Sequence, residues 1–425
     1  MTVPLTPAYT DSPDIRRQDG QNLSLALMDA RNHTLYLMAQ YEAALSLTNF
    51  AVPRRPELNP PLWELGHIGW FQERWIGRNL LRHQGTECDP EAACLASVLA
   101  HADRWWDSSR VAHDTRWSLG LPGLQDIKNY LLTTLESTVD LLDKTPDTDP
   151  ALYFYRIALF HEDMHGEALI YMAQNLGLPL KIAMPAPHAP REPLHMATTR
   201  WQTGLDGSRG FTFDNERPAH EVLVPEFEID AQAVSWAQYA EFVMDGGYDQ
   251  SVYWHPQGWE WLQAQVRREG RRAPRHVQQI GGLGSGLGGS GIGSGSVIQV
   301  HFGQPVRRPG NQSAMHLSWW EADAWCRWAG RRLPTETEWE VAAQTAARRG
   351  FHWGEVWEWT CSPFLGYPGF VADPYRDYSE PWFGTHKVLR GASFATRARM
   401  KSVRFRNFYL PGRDDIFAGF RSCAI

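Results

Sequence analysis

Two histidines, His161 and His165, are four residues apart in a segment whose apolar residues recur at helical spacing. The spacing predicts a helix with both imidazoles on one face, where they can bind a single metal ion. The string His-Glu-x-x-His also matches the pattern of zinc peptidases, in which Glu162 would be the general base. A pair of unrelated histidines on an ordinary helix is the third interpretation.

His67 is the best candidate for a third ligand, because it lies in a predicted helix beside Trp63, Ile68 and Trp70. A buried imidazole needs a partner, which is either a metal ion or, alternatively, a backbone carbonyl. No further histidine follows His165 at the spacing of a zinc peptidase, so a peptidase is disfavoured. Three neutral imidazoles suit Fe(II) that binds O2 and a substrate side by side, although these ligands alone do not distinguish iron from zinc.

Four predicted helices must position these ligands. They cover about residues 22–47, the segment after Asn59, and about residues 122–143 and 149–175. Residues 88–121 have little periodicity and predict a loop. Long helices joined by loops predict a four-helix bundle over residues 20–180. The second helix contains Gly66 and Gly69, each of which costs about 1 kcal/mol in a helix interior. Close helix packing, or room for a bound group, would explain both glycines.

The pattern changes after a proline-rich linker at residues 181–205. Residues 206–425 contain short β-like segments, glycines and tryptophans, which predict an α+β domain. Within it we expect an edge strand at 222–229, helices at 235–243 and 319–329, and a strand at 388–394. Residues 281–296 are almost all glycine and serine and predict a flexible loop. A phosphate-binding loop would need a lysine and a following helix, and both are missing.

Composition excludes several classes of protein. The chain has 425 residues, 43% of them hydrophobic, and a formal net charge of −7, which disfavours nucleic-acid or anionic-membrane partners. It contains no run of eighteen apolar residues and no signal-peptide pattern at its start. Five cysteines without a CxxC pair indicate reduced thiols. We expect a cytoplasmic protein that is a monomer or a small homo-oligomer.

Several motifs carry a family resemblance. Segments 318–322, 330–340, 356–360, 388–397 and 417–421 resemble the formylglycine-generating-enzyme fold, which also resembles C-type lectins. The first half resembles a DinB-like helical bundle. This pairing is similar to the ergothioneine synthase and selenoneine synthase family, non-heme iron enzymes that use O2 to join a donor to the imidazole carbon of hercynine. The resemblance implies an oxidoreductase whose Fe(II) is bound by His67, His161 and His165.

Three departures from the usual sulfur enzymes resemble the selenoneine synthase branch, which couples a selenosugar to hercynine. Met164 stands where the sulfur enzymes usually have a glutamine. Segments 59–67 and 107–117 also differ from the corresponding segments of those enzymes. Short hydroxyls with Asp107 and Asp114 suit a sugar donor. Arg110 and Arg116 would instead suit the carboxylates of γ-glutamylcysteine. The residues predicted to bind the donor are Arg110, His113, Arg116 and Met164.

Asn407, Phe408 and Tyr409 resemble the family segment that contacts hercynine, whose trimethylammonium group an aromatic ring can attract. Ordinary core packing is the alternative for these rings. The family uses a tyrosine as a source of a proton or an electron, and the possible equivalents are Tyr367, Tyr375 and Tyr378.

The first functional hypothesis is therefore C–Se bond formation from a selenosugar, hercynine and O2. The alternative within the family is a C–S bond-forming sulfoxide synthase that uses γ-glutamylcysteine or cysteine. Two other classes stay open, namely a metal-dependent thiol transferase on the DinB-like bundle and a non-catalytic binding module.

Overall fold

The computed structural model describes residues 10–280 and 297–425. The predicted Gly/Ser loop at 281–296 lies outside these residues. The first half is a bundle of four long helices with a short helix, α3, in a connecting loop. Within residues 10–280 and 297–425, none of the helices has both the length and the apolar character of a membrane span. The helices are α1 (Gly20–Leu45), α2 (Pro61–Gln72), α3 (Ala102–Trp106), α4 (Leu124–Leu142) and α5 (Asp149–Leu176).

Local sequence explains where these helices begin and end. The Asp19 side chain accepts a hydrogen bond from the Asn22 N–H at 3.0 Å and caps α1. Pro61 occupies the first position of α2, where its missing N–H is not needed. Gly177 follows α5 in the left-handed region, with φ of 69°, and ends it. The four predicted bundle helices agree with the structure to within about three residues at each boundary.

The second half combines short sheets with helices α6 (Trp236–Met244), α7 (Pro256–Glu269), α8 (Trp319–Trp328) and α9 (Glu336–Thr345). One sheet has the strand order β1-β4-β13-β8, and another has the order β11-β10-β9-β12. Strands β2 and β3 form a pair, and β5, β6 and β7 form a small antiparallel sheet. This architecture confirms the predicted α+β class.

The strands are β1 (Leu194–Met196), β2 (Thr199–Thr203), β3 (His220–Val224), β4 (Phe227–Ile229), β5 (Val277–Ile280), β6 (Val297–His301), β7 (Gln304–Arg308), β8 (Arg331–Arg332), β9 (Trp357–Pro363), β10 (Lys387–Gly391), β11 (Asn407–Tyr409), β12 (Ala418–Phe420) and β13 (Cys423–Ala424).

Two local predictions were wrong. The single edge strand at 222–229 is divided at Pro225 into β3 and β4, which belong to different sheets. Proline has no N–H for a ladder hydrogen bond, and here it marks the change of sheet. The segment at 88–121 was predicted to be a loop throughout, but it contains α3 and a 3₁₀ turn, His113–Ser118.

Helix α5 lies between the bundle and the second half, and most of its residues are buried. The Arg399 guanidinium donates two hydrogen bonds to Asp163, at 2.6 and 3.0 Å. One turn further along, Glu167 accepts hydrogen bonds from Ser393 at 2.5 Å and Thr396 at 2.7 Å. Two carboxylates of α5, the buried Asp163 and the half-buried Glu167, therefore join the two halves of the chain.

We expect Asp163→Asn to lower the free energy of unfolding by about 3–5 kcal/mol, because Arg399 would keep a buried charge without its main partner. The Asp163 and Arg399 side chains are only 1% and 0% exposed. Chemical denaturation measures the change.

Glu221→Gln is the matched control, because it removes an ion pair with Arg200 in which both side chains are more than half exposed. Its effect should stay below about 1 kcal/mol. Equal effects of the two substitutions would contradict the role given to Asp163.

Candidate metal centre

Helices α2 and α5 bring His67, His161 and His165 together. Their candidate ligand nitrogens all lie within 4.8 Å of one another. The Nε2 atoms of His161 and His165 are 3.1 Å apart. His67 and His161 are each 3% exposed, and His165 is half-buried. One imidazole from α2 and two neighbouring imidazoles from α5 thus converge on one point inside the bundle.

Hydrogen bonds at the outer ring nitrogens orient two of these imidazoles. The Nδ1 atom of His67 is 2.7 Å from the Trp106 carbonyl oxygen, and that of His165 is 2.6 Å from Glu64 Oε1. A carbonyl or a carboxylate can only accept, so each Nδ1 carries the proton. The Nε2 lone pairs of both rings are then directed inward, as metal ligation requires.

Glu64 acts on a different ring from the one that its position in the sequence suggests. Glu64 precedes His67 by three residues in the sequence, but its carboxylate contacts His165 across the bundle. Its second oxygen accepts from Asn59 at 2.9 Å, and Asn59 in turn accepts from Arg116 at 2.8 Å. Burial by itself would raise the pKa of Glu64, but the charge of His165 and the hydrogen bond to it lower that pKa. The carboxylate therefore stays ionised.

The two glycines of α2 allow close packing around His67. A Cβ on Gly66 would lie 2.1 Å from Cε2 of Trp106, whose carbonyl receives the His67 hydrogen bond. A Cβ on Gly69 would lie 3.0 Å from the Leu131 side chain of α4. Close packing is thus the explanation that the structure supports for both glycines.

The residues present suit a divalent transition metal. Two nitrogens that each lie about 2.1 Å from one ion, at angles between octahedral and tetrahedral, are roughly 3.0–3.4 Å apart. The observed separation of 3.1 Å agrees with this range. Burial lowers the pKa of His67 to about 3 and that of His161 well below its usual value, so both rings are neutral at pH 7. Neutral imidazole is the form that binds metals.

Glu162 is not available as the general base of a peptidase. Its carboxylate accepts from Arg31 at 2.8 and 3.1 Å and from Thr34 at 2.9 Å, on the face of α5 that packs against α1. The side chain is 3% exposed. The His-Glu-x-x-His string therefore places a structural ion pair, rather than a base, beside the histidines.

The three candidate tyrosines lie in different surroundings. Tyr375 approaches the histidines from the second half, with its ring centroid 6.2 Å from that of His161 and 4.9 Å from that of Phe71. Tyr378 lies behind it, 6.2 Å from Tyr375 between ring centroids. The Tyr367 hydroxyl is instead hydrogen-bonded to Glu336 at 3.3 Å, within the second half.

The residues predicted to bind the donor substrate lie in different surroundings. The Arg116 guanidinium stacks on Trp63, with Cζ 3.7 Å from the ring centroid, in addition to its hydrogen bond with Asn59. His113 Nε2 is 2.9 Å from the Leu58 carbonyl oxygen. The Arg110 side chain is 79% exposed beside Asp107. Met164, adjacent to His165, is half-buried.

Asn407, Phe408 and Tyr409 form β11, where all three are half-buried. The Phe408 ring stacks on Phe364, with centroids 4.0 Å apart. The Arg413 guanidinium lies 4.9 Å from the centroid of Tyr409. Burial raises the pKa of Tyr409 to about 12, so its hydroxyl stays protonated at pH 7.

Sequence reasoning singled out Asp107 for the donor but missed Asp377, and both carboxylates act on Tyr375. Burial raises the pKa of Tyr375, and the negative charges of Asp377 and Asp107 raise it further. Burial also raises the pKa of Asp377, with a further contribution from Asp107. Asp377 follows Tyr375 by only two residues, which was the available signal. The carboxylates make the surroundings of Tyr375 negative.

Two family models match most of the chain. Residues 26–173 match the DinB superfamily, and residues 195–355 match the sulfatase-modifying factor enzyme 1-like domain. The hercynine oxygenase of Mycolicibacterium smegmatis is 31% identical over 456 residues, with 94% of this chain and 98% of the relative covered.

Two further relatives give a similar result. The hercynine oxygenase of Mycobacterium tuberculosis is 31% identical over 452 residues, with 94% of this chain and 98% of the relative covered. The formylglycine-generating enzyme of Streptomyces coelicolor is 28% identical over 287 residues, which are 51% of this chain and 86% of that relative.

We expect Glu64→Gln to weaken metal binding about 10–100-fold, because His165 would lose the charged partner that orients its ring. Competition against a chromogenic chelator, with Fe(II) under nitrogen and with Co²⁺, measures the affinity. Glu42→Gln is the control, since Glu42 pairs with Lys128 on the bundle surface. An unchanged affinity in Glu64→Gln would show that the Glu64 hydrogen bond does not support ligation.

Proposed function

Because this chain belongs to the hercynine oxygenase family, we propose that it is a non-heme iron oxidoreductase that uses O2 to bond a donor atom to the imidazole carbon of hercynine. The convergence of His67, His161 and His165 carries the proposal. Fe(II) bound by three imidazoles would supply open positions for O2 and a substrate. The bundle helices hold the ligands, and the second half of the chain closes the site.

The aromatic residues around the histidines would keep water away from the reacting groups. Phe71 stacks on His161 with centroids 3.6 Å apart, and Trp63 stacks on His67 with centroids 4.8 Å apart. We assign hercynine to the space bordered by β11, where Asn407 would accept or donate a hydrogen bond. Aromatic faces of Phe408 and Tyr409 would attract its trimethylammonium group.

We assign a selenosugar as the donor because the charges near Tyr375 favour a neutral, hydroxyl-rich molecule. Asp107 and Asp377 can accept hydrogen bonds from sugar hydroxyls. Asp107 is paired with Arg110, whereas Asp377 has no ion-pair partner among residues 10–280 and 297–425 and would repel the carboxylates of γ-glutamylcysteine. Arg116 is already engaged by Asn59 and Trp63, so it is poorly placed to bind a donor carboxylate. Joining carbon to selenium removes one hydrogen from each partner, which is a two-electron oxidation. O2 accepts four electrons, so one oxygen atom would leave as water with the two hydrogens and the other would oxidise the selenium of the product to the selenoxide.

Tyr375 is the tyrosine that we assign to proton delivery at the site. Its ring is close to His161, and its hydroxyl has no hydrogen-bond partner among residues 10–280 and 297–425. The raised pKa keeps the hydroxyl protonated at neutral pH, as a proton donor requires.

Purified protein loaded with Fe(II) should convert hercynine and a selenosugar under air into a product with a C–Se bond, detected by mass spectrometry. With γ-glutamylcysteine, kcat/KM should be at least tenfold lower, which corresponds to about 1.4 kcal/mol. His161→Ala is the inactive control.

The same assay separates the remaining hypotheses. A preference for γ-glutamylcysteine would replace the proposed donor with the sulfur donor of an ergothioneine-type sulfoxide synthase. Full turnover under nitrogen would instead support an O2-independent thiol transferase. A lack of product from either donor would contradict the proposed reaction.

Tyr375→Phe should lower kcat about 10²–10⁴-fold with a small change in KM, because it removes only the hydroxyl proton. Tyr378→Phe and Tyr367→Phe are matched controls and should change kcat less than threefold. A circular dichroism spectrum and a Tm like those of the wild type would exclude misfolding. Equal activity of Tyr375→Phe and the wild type would remove Tyr375 from the reaction.

A further inference from the structure

A second histidine cluster lies outside the site described above. It consists of His188, His352 and Glu355, whose ligand atoms lie within 4.8 Å of one another. His188 belongs to the extended segment between α5 and β1, whereas His352 and Glu355 precede β9. Residues from distant parts of the chain thus meet at one point, as they do in the first site.

The ligand atoms of this cluster face one another. Oε1 of Glu355 contacts Nε2 of His188 and lies 3.3 Å from Nε2 of His352. The two imidazole centroids are 4.3 Å apart. The other carboxylate oxygen, Oε2, accepts a hydrogen bond from the Ser313 hydroxyl at 2.6 Å. Ser313 therefore orients the carboxylate so that its free oxygen is directed at both rings.

Backbone hydrogen bonds hold both histidines in place. The Asn311 side chain donates to the His188 carbonyl oxygen at 2.8 Å. The His352 N–H donates to the Ala231 carbonyl oxygen at 2.8 Å, and the Arg421 guanidinium donates to the His352 carbonyl oxygen at 2.6 Å. The cluster is therefore organised before any ligand binds, which lowers the entropic cost of binding.

We propose that His188, His352 and Glu355 form a second metal site, which binds Zn²⁺. Two imidazole nitrogens and one carboxylate oxygen are ligands that Zn²⁺ accepts, with water in the remaining position. Glu355 is a negatively charged ligand, whereas the three candidate ligands of the first site are all imidazoles. The side chains of His188 and His352 are 32% and 35% exposed, so an ion can enter from solvent.

The position of the site indicates a structural role. The ion would bind His188 in the segment between α5 and β1 and also His352 and Glu355 just before β9. It would thus link these two parts of the chain. In β9, the Trp357 indole donates to Glu167 of α5 at 2.8 Å. Zn²⁺ at the second cluster would thus stabilise the contact between the second half and the helix that carries His161 and His165.

The test counts Zn²⁺ bound to the full chain after chelator treatment, reloading and dialysis, by mass spectrometry of the metal. Wild-type protein should retain roughly two Zn²⁺ per chain, one at each cluster. His352→Gln and His188→Gln should each retain about one, and His161→Ala combined with His352→Gln should retain none. His195→Gln is the matched control, because His195 is a surface residue with a side chain 68% exposed.

Thermal unfolding supplies an independent measurement. In a His161→Ala background, Zn²⁺ at 100 times its Kd should raise the Tm by about 3 °C, and His188→Gln should abolish that rise. The proposal would be overturned if His352→Gln and His188→Gln retained as much Zn²⁺ as the wild type. It would equally be overturned if the His161→Ala protein bound no Zn²⁺, since the second cluster would then be only a set of hydrogen bonds. Neither result depends on turnover of hercynine.

Discussion

The buried ion pair between Asp163 and Arg399 is the interaction on which the rest of the structure depends. Burial raises the pKa of Asp163, and Arg399 opposes that rise with its charge and two hydrogen bonds. The pair attaches α5 to the second half of the chain, and His161 and His165 are within two residues of it. A displacement of this helix would therefore separate the candidate metal ligands from Tyr375, which reaches the site from the other side.

Neighbouring residues of α5 have different tasks because successive side chains of a helix are directed about 100° apart. Glu162 binds Arg31 of α1, Asp163 binds Arg399, and His161 and His165 face the candidate metal centre. This division of roles explains why the His-Glu-x-x-His string does not indicate a zinc peptidase in this chain. In a zinc peptidase the glutamate must reach the metal-bound water, whereas here that glutamate holds the bundle together.

The family and the α+β class were both predictable, because long periodic helices and collinear motifs are local features that survive in a single sequence. The proposed ligands were predictable for a related reason, since a histidine in an apolar helix needs a partner. The division at Pro225 and the short helix Ala102–Trp106 were missed. Both depend on which sheet or helix lies alongside, and a few residues carry too little periodicity to indicate that.

The sequence by itself determined the helices of the bundle, the spacing of His161 and His165 and the candidacy of His67, because helical periodicity fixes which residues share a face. Only the tertiary structure decided that Glu64 orients His165 rather than its near neighbour His67, since that contact crosses between two helices. It also placed the Tyr375 ring beside His161 and brought His188 to His352. Contacts between residues more than a hundred positions apart depend on how the elements pack, and local sequence patterns do not record that packing.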